Sequence, residues 1–348
     1  MTRRPRVHLE GLPIIGVLLV LIAVFMIAAP QVFLGYRIYM AFLATVPPQL
    51  ILALGLTLVI ASGEIDLSFP SVIAFSGFLF AWAFKTYELT WLALLLALAG
   101  GALIGWVNGI LVAVIGMPSI IATLATQFFW GGITTVLTGG LSYAIRTIDD
   151  FAIHTVLVGR IGAVPVQALW ATAIAVALWF VLNRHRFGEH LLFIGDNVNV
   201  ARVVGVNVGR EKIKLFTLMG VLGAFAAVLL TAENKNFFNT QGSGFLLTVM
   251  AAVFIGGTSI FGGKATIVGS YVGAYIIGMI EAGLVATGMQ GFWVRAVVGL
   301  VFLAAVVFHL SMDQPQRLAR LKQSLGLRLQ ASGMEGERGG ALRRDSSD

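Results

Sequence analysis

Long apolar runs separated by short polar breaks occupy most of the chain. A helix that crosses a bilayer needs about 20 mainly apolar residues, because each residue advances about 1.5 Å through a hydrocarbon core of about 30 Å. Runs that meet or approach this length cover residues 13–29, 46–62, 70–84, 90–115 and 118–138. A polar stretch at 140–164 follows, holding Arg146, Asp149, Asp150 and Arg160, and then a run at 166–183. Beyond a basic loop come runs at 213–232, 246–262, 265–287 and 291–310. The pattern predicts an all-α polytopic membrane protein of about ten transmembrane helices. Near 63–70 and 256–265 the runs are broken by glycine, which leaves re-entrant segments as an alternative at those two places. Arg3, Arg4 and Arg6 precede the first run as they would in a signal peptide, but Pro30 directly after Ala28-Ala29 makes a poor cleavage site, so a retained helix is expected.

Composition agrees with this reading. Of 348 residues 58% are hydrophobic and 11% charged, whereas roughly a quarter of an ordinary globular chain is charged. Charge adds orientation. Among the Lys and Arg, Arg3, Arg4 and Arg6 precede the first run; Arg184, Arg186, Arg202, Arg210, Lys212 and Lys214 share one loop; and seven follow Ser311. This clustering is the mark of loops retained in the cytoplasm and argues against nucleic-acid binding as the source of the +7 net charge. Six runs precede the basic loop and four follow it, so all three basic stretches fall on one side. The boundaries are then a basic cytoplasmic N-terminus at 1–12, a transmembrane domain at 13–310 with a cytoplasmic loop at 184–214, and a basic cytoplasmic tail at 311–348. Within the tail, Gln316–Leu329 carries Leu318, Leu321 and Leu325 at helical spacing and is expected on the inner leaflet. The Gly-, Ser- and charge-rich Ser332–Asp348 is expected to be disordered. Five runs lie on each side of the 140–164 stretch, so the chain divides into two five-helix halves, and any duplication between them would have inverted topology. No strong sequence repeat joins them.

Polar residues inside apolar runs carry the most information, since a charge at the bilayer centre costs about 2.5–3.5 kcal/mol on insertion scales. Glu64 and Asp66 stand in Ser62-Gly63-Glu64-Ile65-Asp66-Leu67-Ser68-Phe69-Pro70. Gly63 permits a break and Pro70 lacks a backbone donor, so an interrupted helix is expected here. Two readings stand: acids in a protein-lined or watery cavity, or capping acids of a loop at the membrane surface. Asn108 lies within a long apolar run, either as a bridge between helices or as a pathway group. Thr123 and Thr126 share a helical face beside Gln127, with back-bonding to their own helix as the competing account. Glu233, Glu281 and Arg295 lie at or near helix ends, where snorkelling suffices.

The loop at 184–214 is longer than a turn needs. Within it Gly195 to Gly205 reads as one short helix, with Asp196 or Asn197 to cap it and Gly205 as a left-handed stop. Such a helix suits docking in a groove of another protein, or lies on the lipid surface.

Several chemistries are excluded. Cysteine is absent and the five His show no paired spacing, so no metal site is expected. Gly262-Gly263-Lys264-Ala265 fails as a phosphate-binding loop, because the motif Gly-x-x-x-x-Gly-Lys-Ser/Thr meets Thr258 and Ala265. Any ATP must be hydrolysed by a partner.

Taken in order, these residues resemble the ribose-type sugar permeases, membrane subunits of bacterial ATP-binding-cassette importers, across residues 45–305. The resemblance rests on Gly63-Glu64-Ile65-Asp66-Leu67-Ser68, Asn108-Gly109, Pro118 to Leu124, and Leu137-Thr138-Gly139-Gly140. It also rests on Arg186-Phe187-Gly188, Gly195-x-Asn197, Ala201, Gly205-Val206-Asn207-Val208, and Gly256 to Gly263. It implies a permease subunit in the bacterial inner membrane that imports a monosaccharide or similar solute without cofactor of its own, ATP and Mg being held by cytoplasmic ATPase subunits. A periplasmic sugar-binding protein and a second permease copy, identical or similar, are the other implied partners. Phe187, Gly188, Gly195, Asn197, Ala201, Arg202 and Gly205 would belong to the ATPase-coupling helix and its approach. Glu64, Asp66, Ser68, Asn108, Thr123 and Thr126 would lie near the translocation path. Departures exist: Phe69-Pro70 stands where the family often has Val-Gly, and Leu247 to Met250 lacks the acid often found there. From the residues alone, a proton- or sodium-coupled carrier using Asp66 or Glu64 is the alternative.

Overall fold

The computed structural model describes residues 12–313, with side chains over 13–307. The expected basic terminus with Arg3, Arg4 and Arg6, the tail helix at 316–329 and the segment 332–348 lie outside the described residues. Residues up to Ala305 form one compact unit, and Val306 begins a second, of which the last turns of the final helix are described.

Every apolar run contains a helix, and among the described residues the fold is all-α apart from two ladders of two-residue strands. In chain order the helices are α1 (Leu12–Ala28), α2 (Pro30–Phe33), α3 (Tyr36–Thr45), α4 (Pro47–Ala61), α5 (Phe69–Tyr87), α6 (Thr90–Ala113), α7 (Ser119–Thr138) and α8 (Ala152–Val158). They continue as α9 (Val166–Arg184), α10 (Arg186–Asp196), α11 (Val198–Val203), α12 (Val208–Asn234), α13 (Phe245–Ile255), α14 (Ile267–Ala286) and α15 (Phe292–Asp313). Six of these (α5, α6, α7, α9, α12 and α14) are each long and apolar enough to cross a membrane, and α3 with α4 makes a seventh that bends by 51°. The bend falls at Pro47-Pro48, where two missing N–H groups interrupt the helical ladder. The apolar parts of α1, α13 and α15 are shorter. The run expected at 246–262 stops at Ile255, because Gly257 takes φ +91° and turns the chain into a loop that lasts to Thr266.

Helix α4 is buried at every position from Pro47 to Ala61 except Gln49, the mark of a helix at the centre of a bundle. Around it pack α9, α10, α12, α13 and α14. Glycines set the closest approaches. A Cβ on Gly105 would sit 2.1 Å from the Phe216 carbonyl oxygen, and one on Gly101 2.4 Å from that of Gly220, so α6 and α12 touch backbone to backbone. A second seam joins α13 to α14, where Cβ atoms on Gly269 and Gly273 would meet the Gly256 and Ala252 carbonyls at 1.8 and 2.2 Å. Small residues at such seams allow the van der Waals contact that holds helices together in lipid.

The bundle has two structured ends. At one, the polar 140–164 stretch folds back: Tyr143–Ala144 pairs with Asn236–Phe237 after α12, and Asp149 accepts from Lys235. That lysine, with His154 Nε2 at 3.1 Å, holds the Asp149 carboxyl below the usual aspartate range. At the same end Gln167 Nε2 donates to Glu233 Oε2 at 2.6 Å, so Glu233 is held by a neighbouring helix. The other end carries α10, α11 and the break between α4 and α5.

Candidate translocation and coupling site

The break at 62–68 is built by its own sequence. Gly63 adopts φ +78°, which ends α4, and Pro70 opens α5 in its first turn, where no N–H is required. Asp66 fixes Ser68, the N-cap residue of α5: its Oδ1 accepts from the Ser68 N–H at 2.7 Å and the Ser68 hydroxyl at 2.6 Å. It does this while 2% exposed. Of the two accounts of Asp66, the structure matches the protein-lined site: the carboxyl is not a helix-capping acid of an exposed loop.

A chain of hydrogen bonds ties this segment to two further helices. Asn108 Nδ2 on α6 donates to Ser68 Oγ at 2.7 Å, and its Oδ1 accepts from Thr126 Oγ1 on α7 at 2.7 Å. Thr123 Oγ1 accepts from the Leu67 N–H at 3.0 Å while donating to the Ser119 carbonyl at 2.7 Å. Ser119 Oγ accepts from the Ile65 N–H at 3.1 Å. Freed backbone donors of the broken helix are thereby satisfied within the protein, as an apolar solvent demands. Asp66, Ser68, Asn108, Thr123 and Thr126 thus meet in one buried cluster. Glu64 stands apart from it, in an ion pair with Lys212 at the start of α12. Ser119 and Lys212 belong to the arrangement but were not among the expected pathway residues. Ser119 has the spacing of four from Thr123 as a signal, and Lys212 has none.

Helix α7 has its polarity inverted. Its buried positions include Ser119, Thr123, Thr126, Thr134 and Thr138, while Ile120, Ile121, Phe128, Phe129 and Val136 are exposed. A helix that hides hydroxyls and displays phenylalanine is built for lipid outside and polar company inside.

The residues expected to couple to the ATPase occupy two helices rather than the one expected over 195–205. Phe187, Gly188 and Gly195 lie in α10, and Asn197, Ala201, Arg202 and Gly205 lie in or beside α11. Asn197 is extended at φ −158° and divides the two, its Oδ1 accepting from the N–H groups of Asn199 and Val200 at 3.0 and 3.2 Å. Gly205 takes φ +89° just beyond the helix. A Cβ on Gly188 would lie 2.2 Å from the Val181 carbonyl, so α10 folds directly back on α9. Ala201 is buried in a small core with Ile194, Val206 and Val208, whereas Arg202 is exposed. Between α11, the turn before α7 and the break lies a cleft of about 570 Å³, lined in part by Glu64, Pro118, Arg202, Asn207 and Lys212. Among the described residues no group of three His, Asp or Glu could hold a metal ion.

Apolar helices of bilayer length, an inverted amphipathic helix and an internally satisfied connection between α4 and α5 are the features of a multi-pass membrane protein. The chain belongs to the family described as branched-chain amino acid transport system / permease component, which it matches over residues 38–306. It is 33% identical over 291 residues to the ribose import permease protein of Escherichia coli strain K12, covering 83% of this chain and 90% of that one. The ribose import permease protein of Bacillus subtilis strain 168 is 33% identical over 311 residues, 88% of this chain and 96% of its own. The autoinducer 2 import system permease protein of Klebsiella pneumoniae is 32% identical over 280 residues, 79% and 78% of the two chains. The chain is a permease subunit of an ATP-binding-cassette importer, and not itself the ATPase. That membership implies ATPase and binding-protein partners, and it sets aside the alternative of a proton- or sodium-coupled carrier.

Proposed function

We propose that this permease imports a monosaccharide or a similar small, uncharged, hydroxyl-rich solute across the inner membrane of a bacterium. The observation that carries the reading is the buried hydroxyl and amide cluster on α5, α6 and α7, beside relatives named for ribose and autoinducer 2 import. In this reading all ten apolar helices or helix pairs take part in spans, the short α13 crossing together with the loop that follows it, in two five-helix halves of inverted topology. Both termini and the 184–214 loop face the cytoplasm, and the 140–164 cap faces the periplasm and its sugar-binding protein. Residues 1–12 and 311–348 are the cytoplasmic extensions of a permease domain at 13–310.

Two copies, or one copy and a similar permease, enclose the path. Asp66, Ser68, Asn108, Thr123 and Thr126 hold the broken segment at its wall, and Glu64 holds the same segment on its cytoplasmic side. Phe187, Gly188 and Gly195 carry the approach to α11, where Asn197, Ala201, Arg202 and Gly205 present the docking helix to the ATPase. ATP closure pushes α11 and rocks the permease between outward and inward states.

Proteoliposomes containing the permease, its ATPase and its binding protein are expected to accumulate labelled ribose or autoinducer 2 only with ATP inside. Accumulation by the permease alone, or accumulation of no member of a labelled panel of pentoses, hexoses, polyols and autoinducer 2, would sink the reading. The docking role has its own check. Asn197→Ala removes the cap of α11, a loss of about 1 kcal/mol, and is expected to lower the yield of ATPase co-purified with the permease. Undiminished co-purification together with undiminished uptake would contradict it.

A further inference from the structure

The segment that carries α11 is fastened at both ends to the same few residues of the helix break. Ile194, Val198, Ala201, Val206 and Val208 pack on one another, so residues 194–208 form a block with its own small core. On its N-terminal side Gly195 lies against the last turn of α4, where a Cβ would stand 1.9 Å from the Ala61 carbonyl oxygen. The same carbonyl accepts from the Gly263 N–H at 2.9 Å, so the α13–α14 loop closes over the contact. On its C-terminal side, one turn into α12, the Lys212 ammonium meets the Glu64 carboxylate, and both side chains are about one-seventh exposed (15% and 14%). Ala61 and Glu64 flank Gly63, where the chain leaves α4. Three residues further on, the break is held at its far end by Asp66, Ser68 and Asn108.

We infer that the Glu64–Lys212 ion pair is a positioning contact that carries movement of the 194–208 block into the broken segment. The inference rests on the coupling role proposed for α11. The Gly195 contact is backbone on backbone and transmits a push. The ion pair is the contact that transmits a pull, since opposite charges in a partly dry site resist separation strongly at short range. Its two side chains border the 570 Å³ cleft, which gives the pair room to part when the block moves too far. A lysine that served only to neutralise a buried acid would do so equally well without the block being attached beside it.

The experiment uses the complete transporter in proteoliposomes and reads solute imported per ATP hydrolysed. Lys212→Gln and Lys212→Glu are expected to co-purify with the ATPase and hydrolyse ATP, while solute imported per ATP falls about tenfold, a typical coupling factor. The exchanged pair, Glu64→Lys with Lys212→Glu, is expected to restore most of that ratio. An unchanged ratio in both single variants, where the unsubstituted complex imports with ATP, would overturn the pair's role alone. So would parallel loss of assembly and hydrolysis that the exchanged pair fails to rescue. Absence of ATP-dependent import by the unsubstituted complex would overturn the functional reading, and the pair's role with it.

Discussion

Gly105→Leu is expected to yield no permease that survives extraction as a folded species. A Cβ alone would stand 2.1 Å from the Phe216 carbonyl oxygen and 2.9 Å from its carbon, with Thr217 Cα at 3.0 Å. All three are backbone atoms of α12, so no rotamer change relieves the overlap. The whole helix must retreat. The seam is reciprocal, because a Cβ on Gly220 would lie 2.1 Å from the Gly101 carbonyl oxygen on the facing helix. Overpacking a core costs about 1–3 kcal/mol and more where backbone must move. Helices in lipid have no hydrophobic force to pull them together again once close contact is lost. Gly131→Leu on α7 is the matched control, since a Cβ there has nothing within 4 Å. Thermal unfolding followed by fluorescence-detected size exclusion compares the two. Equal stability of both variants would refute the seam as a determinant of the fold.

The second large effect is expected at Asp66, on transport rather than insertion. Asp66→Ala removes the acceptor of two buried donors, the Ser68 N–H and hydroxyl. Each buried donor left without a partner costs about 1–3 kcal/mol. The loss falls on the break alone, because α4 and α5 keep their apolar packing on either side. Ser68 Oγ also receives Asn108, so its reorientation loosens the link to α6 and, through Thr126, to α7. Uptake is expected to fall at least about tenfold with the protein still in the membrane, given that about 1.4 kcal/mol is a tenfold change in population. Asp66→Asn keeps one carbonyl acceptor and should retain an intermediate rate. Normal uptake by Asp66→Ala would show that this acceptor is dispensable.

How much of this was legible before the structure depends on the range of the signal. Apolar length marks each long helix, because the bilayer sets that length for every segment independently. Local chemistry also marks the break: Gly63 and Pro70 act within their own turn. So do Asn197 and Gly205 at the ends of α11. Helix α10 was missed although Phe187, Leu191 and Ile194 have helical spacing, since the basic residues before it read as loop. Helix α3 was missed for a similar reason: Tyr36, Arg37 and Tyr39 dilute its apolar character, and the bend at Pro47 hides its continuity with α4. The cluster itself had no local trace. Ser68 and Asn108 are 40 residues apart, and Glu64 and Lys212 are 148 apart. Each polar residue could be singled out as costly in lipid, but which partner relieves that cost is decided by helix packing. The division of the 195–205 segment has the same origin, because Gly195 is recruited into α10 by its contact with Ala61.

The brevity of α13 bears on how the protein is made. With 11 residues it reaches about 16 Å, near half the hydrocarbon thickness. A segment that short offers the insertion machinery too little apolar surface to be released into lipid by itself. Its glycine seam with α14 supplies the remedy, for the two close as a hairpin whose combined surface is sufficient. Residues 245–286 are therefore expected to enter the membrane together.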